Sequence, residues 1–266
     1  MNDIDDLTLR RDAVRLRSLH VPGDPLVLVN AWDVASAREV VAAGGLAVGT
    51  SSAAIAASLG QPDDNTMRLS LAFGTVERIA SAVPVPVTAD LEAGYDLGGI
   101  ELVSALVGAG AVGCNLEDTD HRRVGVLVEV EAMAARLSAV RAAAQEVGVD
   151  VVINARIDAL LHLGGDRPAA LAEIVRRAHR YVEAGADCVF PIGVSDPATA
   201  EQLVDELAVP VNVGLAPGVS VAQMAAAGVS RISVGPTYQR RAMADLRQRA
   251  SELLGRCPTP SDGTPG

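Results

Sequence analysis

The chain has 266 residues and a formal charge of −11, with 49% hydrophobic, 21% charged and 2% aromatic side chains. That length and apolar content can bury a sizeable core, while the acidic surplus repels phosphate backbones and anionic lipid surfaces. Two phenylalanines, three tyrosines and one tryptophan build no stacking platform for single-stranded nucleic acid, so nucleic-acid and membrane partners are excluded and a cation is expected.

All 22 basic residues are arginines. Without a lysine amine the chain cannot form a Schiff base, anchor pyridoxal phosphate or build a P-loop. Carbonyl activation is left to a metal or to hydrogen-bond donors. Cys114, Cys188 and Cys257 are odd in number and widely spaced, which reads as buried reduced thiols rather than disulfides or a CxxC site. The N-terminus, MNDIDDLTLRR, is acidic and lacks an apolar core, and no run reaches the roughly 18 apolar residues of a membrane span. A cytoplasmic location is expected.

In chain order, the residues before Leu26 predict a lead-in helix and Leu26 to Val29 a first strand. A phrase then repeats four times: AAGGLAVGT at 42–50, GAGAVGCNLED at 108–118, EAGADCVFP at 183–191 and AAGVSRISVG at 226–235. Each reads as a helix end closed by glycine, followed by a short apolar strand covered on both faces. Further strands fit Val85 to Ala89, Val151 to Ala155 and Val211 to Val213, which makes eight. Helical periods separate them at 34–43, 100–107, 130–146, 169–184, 198–207 and 221–227, and a long helix is predicted from Thr237 to Leu254.

Eight alternating units predict an α/β fold of the (β/α)8 TIM-barrel type, one domain over 1–255. A doubly wound open sheet is the alternative, but NAWDVAS at 30–36 lacks the glycine fingerprint of a dinucleotide site. The tail at 256–266, rich in Pro, Gly, Ser and Thr, is expected to be disordered.

In such a barrel, polar residues that end apolar strands face the active-site mouth. Strand three ends in Asp90 and Glu92, strand four in Glu117 and Asp118, and strand five in Arg156 and Asp158. Hard carboxylate ligands without histidine or thiolate among them suit Mg²⁺ or Mn²⁺. Strand-end acids also cap helices, and Asp158 fits either role. Strand two ends in Thr50, Ser51, Ser52 and Ala53, whose backbone N–H groups could hold a carboxylate or form an ordinary turn. Arg156 can grip a carboxylate of a ligand or pair with Asp158 or Glu117.

NAWDVASAR at 30–38, GTSSAAIAASLGQPD at 49–63, ADLEAGYD at 89–96, NLED at 115–118 and NAR at 154–156 resemble the isocitrate lyase and phosphoenolpyruvate mutase superfamily from about Leu26 to Leu254. The resemblance implies a Mg²⁺-dependent barrel that makes or breaks C–C or C–P bonds beside a 2-oxo acid through a metal-held enolate. It implies that Asp90 is the principal metal carboxylate and that Glu92, Glu117 and Asp63 hold the metal's waters, Glu92 standing where many members have Asp. Ser51 with the N–H groups of Ser52 and Ala53 would cradle the substrate carboxylate, Arg156 would bind substrate, and Asn212 matches a substrate-binding position. It also implies a homotetramer whose last helix is exchanged between subunits.

The departures remove the better-known reactions. The Lys-Arg-Cys-Gly-His loop of isocitrate lyases, with its catalytic cysteine, is replaced by His121, Arg122, Arg123, Val124, Gly125 and Val126. Phe190 and Pro191 are followed by Ile192 and Gly193 rather than an acid, and Val213 to Ala216 replace a Thr-Glu-Phe-Gly stretch. A tricarboxylate therefore loses three anchors. The expected activity is that of a carbon–carbon lyase or decarboxylase of a small 2-oxo or 2-hydroxy acid, with His121 as proton donor and Tyr95 or a metal-bound water as rivals. A non-catalytic oxo-acid-binding barrel and a phosphonopyruvate-type mutase or hydrolase are the alternatives.

Overall fold

The computed structural model describes residues 6–163 and 165–255; the expectation for the 256–266 tail, and Cys257 with it, lies outside them. The elements run α1 (Asp6–Ser18), β1 (Leu26–Leu28), α2 (Val34–Ala42), β2 (Val48–Gly49), α3 (Ser52–Leu59), α4 (Leu69–Ala80), β3 (Val87–Asp90), α5 (Gly99–Gly108), β4 (Gly113–Glu117) and α6 (Val130–Val147). They continue with β5 (Val152–Ile157), α7 (Ala159–Leu163), α8 (Arg167–Glu183), β6 (Cys188–Pro191), α9 (Pro197–Glu206), β7 (Asn212–Val213), α10 (Val221–Ala226), β8 (Arg231–Ser233) and α11 (Thr237–Leu253).

The repeated phrase works as its composition dictates. Gly44, Gly110, Gly185 and Gly228 lie just past the ends of α2, α5, α8 and α10 with φ of 97°, 81°, 102° and 76°, the left-handed region that closes a helix. Each chain segment then turns into a strand.

Every strand pair is parallel. Hydrogen bonding orders β2-β3-β4-β5-β6 in one sheet and β1-β8-β7 in another, and two bridges, Ala31 to Thr50 and Val189 to Val211, join them around the circle. The result is the (β/α)8 barrel expected from the sequence. The strands are two to six residues long, so an Ala-, Val-, Leu- and Ile-rich core suffices to fill the space between sheet and helices.

The lead-in helix α1 closes the N-terminal end. Arg17 reaches Asp187 at 3.1 Å and the carbonyls of Asp150 and Val151. Leu16 packs so tightly over β4 that a Cβ on Gly113 would stand 2.7 Å from its Cδ2. The opposite end stays open, which leaves the C-terminal strand ends as the mouth. No helix among the described residues is long and apolar enough to cross a membrane.

Three helices were not foreseen: α3, α4 and the single short turn of α7 after β5. The small-residue stretch after β2 is not a plain turn but opens α3, capped by Ser51, whose Oγ accepts the Ala54 N–H at 3.4 Å. Alanine favours helix without leaving an apolar stripe to read. Helix α4 has a buried face at Ala72, Phe73, Val76 and Ile79, but its N-cap residue Arg68 makes no capping side-chain bond, so its start carries no signal.

Candidate active site

At the mouth a cavity of about 420 Å³ is lined by Ser51, Ser52, Ala53, Asp63, Asp90, Asn115 and Arg156 on the side of β2 to β5. The side of β6 to β8 is mostly apolar, with Phe190, Ile192, Val194, Leu215 and Val234, and carries Arg240 from the first turns of α11. Glu92, Tyr95, Glu117 and His121 stand next to this group without lining the cavity, and Asn212 is fully buried, its Nδ2 donating at 3.1 Å to Oγ of Ser233, a residue of the cavity lining.

Asp90 ends β3 with its two oxygens in different states. Oδ2 accepts from Ser52 N–H at 3.1 Å and from Ser52 Oγ at 2.9 Å, while the Asp90 N–H donates to Thr50 Oγ1 at 2.9 Å. Oδ1 is buried with no partner among the described residues. A buried carboxylate oxygen without a donor is costly, and a cation or a ligand's hydrogen-bond donor would satisfy it. The Ser52 N–H that would have faced a substrate carboxylate is used on Asp90, and Ser51 Oγ is used on its own helix; the N–H of Ala53 remains available.

Asp63 sits on the exposed rim in the α3–α4 loop. Withdrawal from water on its inner side, and next the charge of Asp90, raise its carboxyl above the usual range. Glu92 is buried, with Oε2 accepting the Asn65 N–H and Oε1 unpartnered; burial pushes its pKa up to about 7. Among the described residues no three His, Cys, Asp or Glu side chains converge as direct ligands of one ion. The donor set fits a hard cation bound directly by Asp90 alone, with carboxylates around it to receive hydrogen bonds from its waters.

The β3–α5 loop is held in an uncommon shape. Glu92, Tyr95 and Asp96 have φ of 51°, 53° and 59°, values that side-chain-bearing residues seldom adopt and that gather at functional sites. Asn65, itself at 62°, stitches this loop to the rim: its N–H serves Glu92 and its Oδ1 accepts the Tyr95 N–H at 2.8 Å. Asn65 was missed from sequence, although asparagine in a polar PDDNT run is the residue that best tolerates this backbone. Burial, and then the charges of Glu92 and Asp90, raise the Tyr95 phenol well above its ordinary pKa, so it stays protonated.

Glu117 joins a histidine and an arginine. Its Oε1 lies 2.5 Å from His121 Nε2 and its Oε2 lies 2.7 Å from Arg156 Nη1. Burial raises the Glu117 carboxyl against the pull of both. The hydrogen bond to Glu117 raises the His121 imidazole, opposed by desolvation. Arg156 also forks onto Asp158, Nε to Oδ1 at 2.7 Å and Nη2 to Oδ2 at 3.0 Å. Although burial alone would lower it, these two acids raise the Arg156 pKa. Asp158 does not cap α7 with its side chain; it takes Arg156 and, at 2.6 Å, Thr119 Oγ1.

Asp118 is an anchor. Fully buried, it accepts from the Asp158 N–H at 2.9 Å, Arg177 Nη1 at 3.0 Å and Tyr181 Oη at 2.8 Å, tying β4 to β5 and α8. Cys114 and Cys188 are buried free thiols, and burial pushes each up to about 12.

A closed parallel barrel with an acidic, orphan-bearing rim at its strand C-termini defines a class, and the comparisons place the chain in it. Residues 16–254 match the phosphoenolpyruvate phosphomutase family, and the chain belongs to this isocitrate lyase and phosphoenolpyruvate mutase superfamily. An uncharacterized protein of Mycobacterium tuberculosis is 32% identical over 220 residues, 82% of this chain and 80% of its own. The 2-methylisocitrate lyase of Escherichia coli is 31% identical over 214 residues, 73% of this chain and 70% of its own. Among solved structures, a Burkholderia cenocepacia protein assigned by inference as a phosphonomutase superposes with a TM-score of 0.87 at 39% identity, covering 91% of this chain and 99% of that one.

Proposed function

We propose that the protein is a Mg²⁺- or Mn²⁺-dependent lyase or decarboxylase that cleaves the bond beside the oxygen-bearing carbon of a small 2-oxo or 2-hydroxy acid. The observation that carries this reading is Asp90, which spends Oδ2 on Ser52 and leaves Oδ1 buried and unpartnered beside a cavity lined by polar donors. A divalent cation there would supply Lewis acidity, drawing the electron pair of the breaking bond toward the carbonyl oxygen.

The chain's own residues divide the remaining work. Asp90 would hold the cation, and Asp63, Glu92 and Glu117 would accept hydrogen bonds from its waters. The Ala53 N–H, with the dipole of α3 behind it, receives the substrate carboxylate. Arg156, fixed by Asp158 and Glu117, presents its remaining N–H bonds to the substrate's far end, and Asn212 supports the floor from below. Cleavage releases CO₂ from a 2-oxo diacid, or a carbonyl fragment from a 2-hydroxy acid, and leaves the bond's electron pair on the adjoining carbon as an enolate, which must take a proton. His121 is the donor: with Nε2–H given to Glu117, the transfer falls to Nδ1. Tyr95, kept protonated, is the rival.

The similarity to a chain assigned as a phosphonomutase supports a second reading, C–P chemistry at the same site. The experiment is to load wild type and Asp90→Ala with Mn²⁺, then follow pyruvate and CO₂ release from 2-oxo diacids, with phosphonopyruvate in parallel. Release by wild type alone is expected. Turnover of phosphonopyruvate only would favour C–P chemistry, metal-dependent binding without turnover would favour a binding barrel, and Mn²⁺ affinity unchanged in Asp90→Ala would remove the site.

A further inference from the structure

Beneath the cavity lies a cation that the proposed chemistry does not use. Arg231, the first residue of β8, is 1% exposed, and no carboxylate pairs with it among the described residues. Its Nε donates to Ser233 Oγ at 3.3 Å, its Nη2 donates to Asn115 Oδ1 at 3.1 Å, and its Nη1 is buried with no partner among the described residues. An ion taken out of water without a counter-charge is among the most expensive things a core can hold. Among the described residues, buried Arg177 has Asp118 and Glu173 and half-buried Arg156 has Glu117 and Asp158, whereas half-buried Arg136 reaches only the Leu97 carbonyl.

What Arg231 does control is an amide. A guanidinium has only donors, so the Asn115 atom that faces it must be the oxygen. Asn154 Nδ2 donates to the same oxygen at 2.8 Å, which fills both of its acceptor directions. The amide is planar, so Nδ2 of Asn115 points the other way. Asn115 lines the cavity, and its Nδ2 has no protein acceptor among the described residues. A charged donor on the carbonyl side polarises the whole amide and strengthens the N–H bonds opposite.

We infer that Arg231 is a positioning residue that fixes and polarises Asn115, so that the Asn115 Nδ2–H group, backed by a buried positive charge, holds an anionic oxygen of the ligand at the cavity floor. The inference rests on the reading of the cavity as a cation-assisted oxo-acid site. It adds that the barrel interior, and not only the rim, supplies positive potential where the enolate forms. From sequence alone the only hint was one arginine inside an otherwise small and apolar strand phrase, AAGVSRISVG.

Oxalate, a planar dianion shaped like the enolate of pyruvate, is the probe. Wild type, Arg231→Met, Asn115→Leu and the double variant are titrated with oxalate by calorimetry in the presence of Mn²⁺, with Mn²⁺ affinity and thermal melting measured separately. Replacing a buried unpaired charge by an apolar side chain of similar volume spares the fold. Arg231→Met should therefore keep its melting temperature and Mn²⁺ affinity while binding oxalate about 10- to 100-fold more weakly. Asn115→Leu should lose a similar factor, and the double variant should lose no more than the worse single one, because both act through one bond. Unchanged oxalate affinity in Arg231→Met, or losses that multiply, would overturn the inference and leave the oxo-acid reading standing. Wild type that binds Mn²⁺ but no oxalate would overturn both. Should Arg231→Met fail to fold, Asn115→Leu decides: oxalate affinity equal to wild type overturns the inference.

Discussion

His121 and Glu117 meet at 2.5 Å between Nε2 and Oε1, and the same carboxylate holds Arg156 with its other oxygen at 2.7 Å. One buried acid therefore fixes the ring of the proposed proton donor and the fork of the proposed substrate arginine at once. His121→Asn keeps a donor for Glu117 but removes the titratable nitrogen. Turnover of a 2-oxo acid by that variant should fall by about 10²- to 10⁴-fold, the usual worth of a positioned general acid, while Mn²⁺ binding persists. A variant retaining more than a tenth of wild-type turnover would transfer the role to Tyr95 or to a water.

The pH dependence of stability should carry the mark of His20. Its ring is buried near the closed end of the barrel, with Nδ1 2.8 Å from the Leu16 carbonyl and Nε2 unpartnered. Burial, and next the charge of Arg231, lower its pKa from 6.5 to about 4. Between those values the unfolded chain binds the proton and the folded chain does not, so stability falls as pH drops from 6.5 toward 4. The contribution is about 3 kcal/mol in full, since each tenfold difference in proton affinity between the folded and unfolded chain is worth roughly 1.4 kcal/mol. His20→Asn keeps a donor for Leu16 and does not titrate. In urea unfolding at pH 7 and pH 4.5, its loss on acidification should be smaller than wild type's by about 2 kcal/mol; equal losses would show that His20 is protonated in the folded state.

The strand plan was legible because backbone geometry wrote it into the sequence: four positions needed left-handed backbone, and glycine stands at each. Asp90 and Glu117 were legible for a similar reason, since charged residues that end apolar runs have nowhere to go but the mouth. Pairwise choices were not. Nothing in NAR or NLED tells whether Arg156 faces a ligand or spends its fork on Asp158 and Glu117; that depends on β4 and β5 lying in register, Glu117 opposite Arg156. Asn65, Asn115 and Arg231 were silent because their roles come from neighbours distant in sequence, and α3 because an alanine run has no periodicity.

Helix α11 should seat against another copy of the chain. Of its residues only Gln239 is buried, while Met243, Leu246 and Leu253 are 42%, 60% and 89% exposed. With Ala250 they follow helical spacing and form one apolar stripe, and Tyr238 at the start of the same helix lines a hollow of about 350 Å³ with Val29, Trp32 and Val40. We expect the homotetramer that the family resemblance implies. Light scattering at micromolar concentration should return about four chain masses, and Leu246→Asp with Leu253→Asp should lower it. A wild-type mass of 27.3 kDa would contradict the assembly.

Arg156 should govern the preference for a second carboxylate, and its ion pairs add a stability cost that can be separated from binding. Glu117 and Asp158 are 5% and 1% exposed at their side chains, so Arg156→Gln leaves two buried acids short of their cation. Breaking buried pairs in this way costs about 3–5 kcal/mol, visible as a lower melting temperature. Binding is read at a temperature where the variant stays folded. Loss of two charge-assisted bonds to a distal carboxylate should raise the dissociation constant of oxaloacetate by roughly one to two orders of magnitude, and that of pyruvate much less. Calorimetric titration of both acids with Mg²⁺ present compares them directly. Equal losses would mean that Arg156 holds the carboxylate common to both acids or only supports the rim. The distal contact would then pass to Arg240, which lines the same cavity from α11 beside the apolar wall of Phe190, Ile192 and Leu215. Arg240→Gln, remote from the Glu117 and Asp158 pairs, should in that case weaken oxaloacetate alone and leave the melting temperature in place.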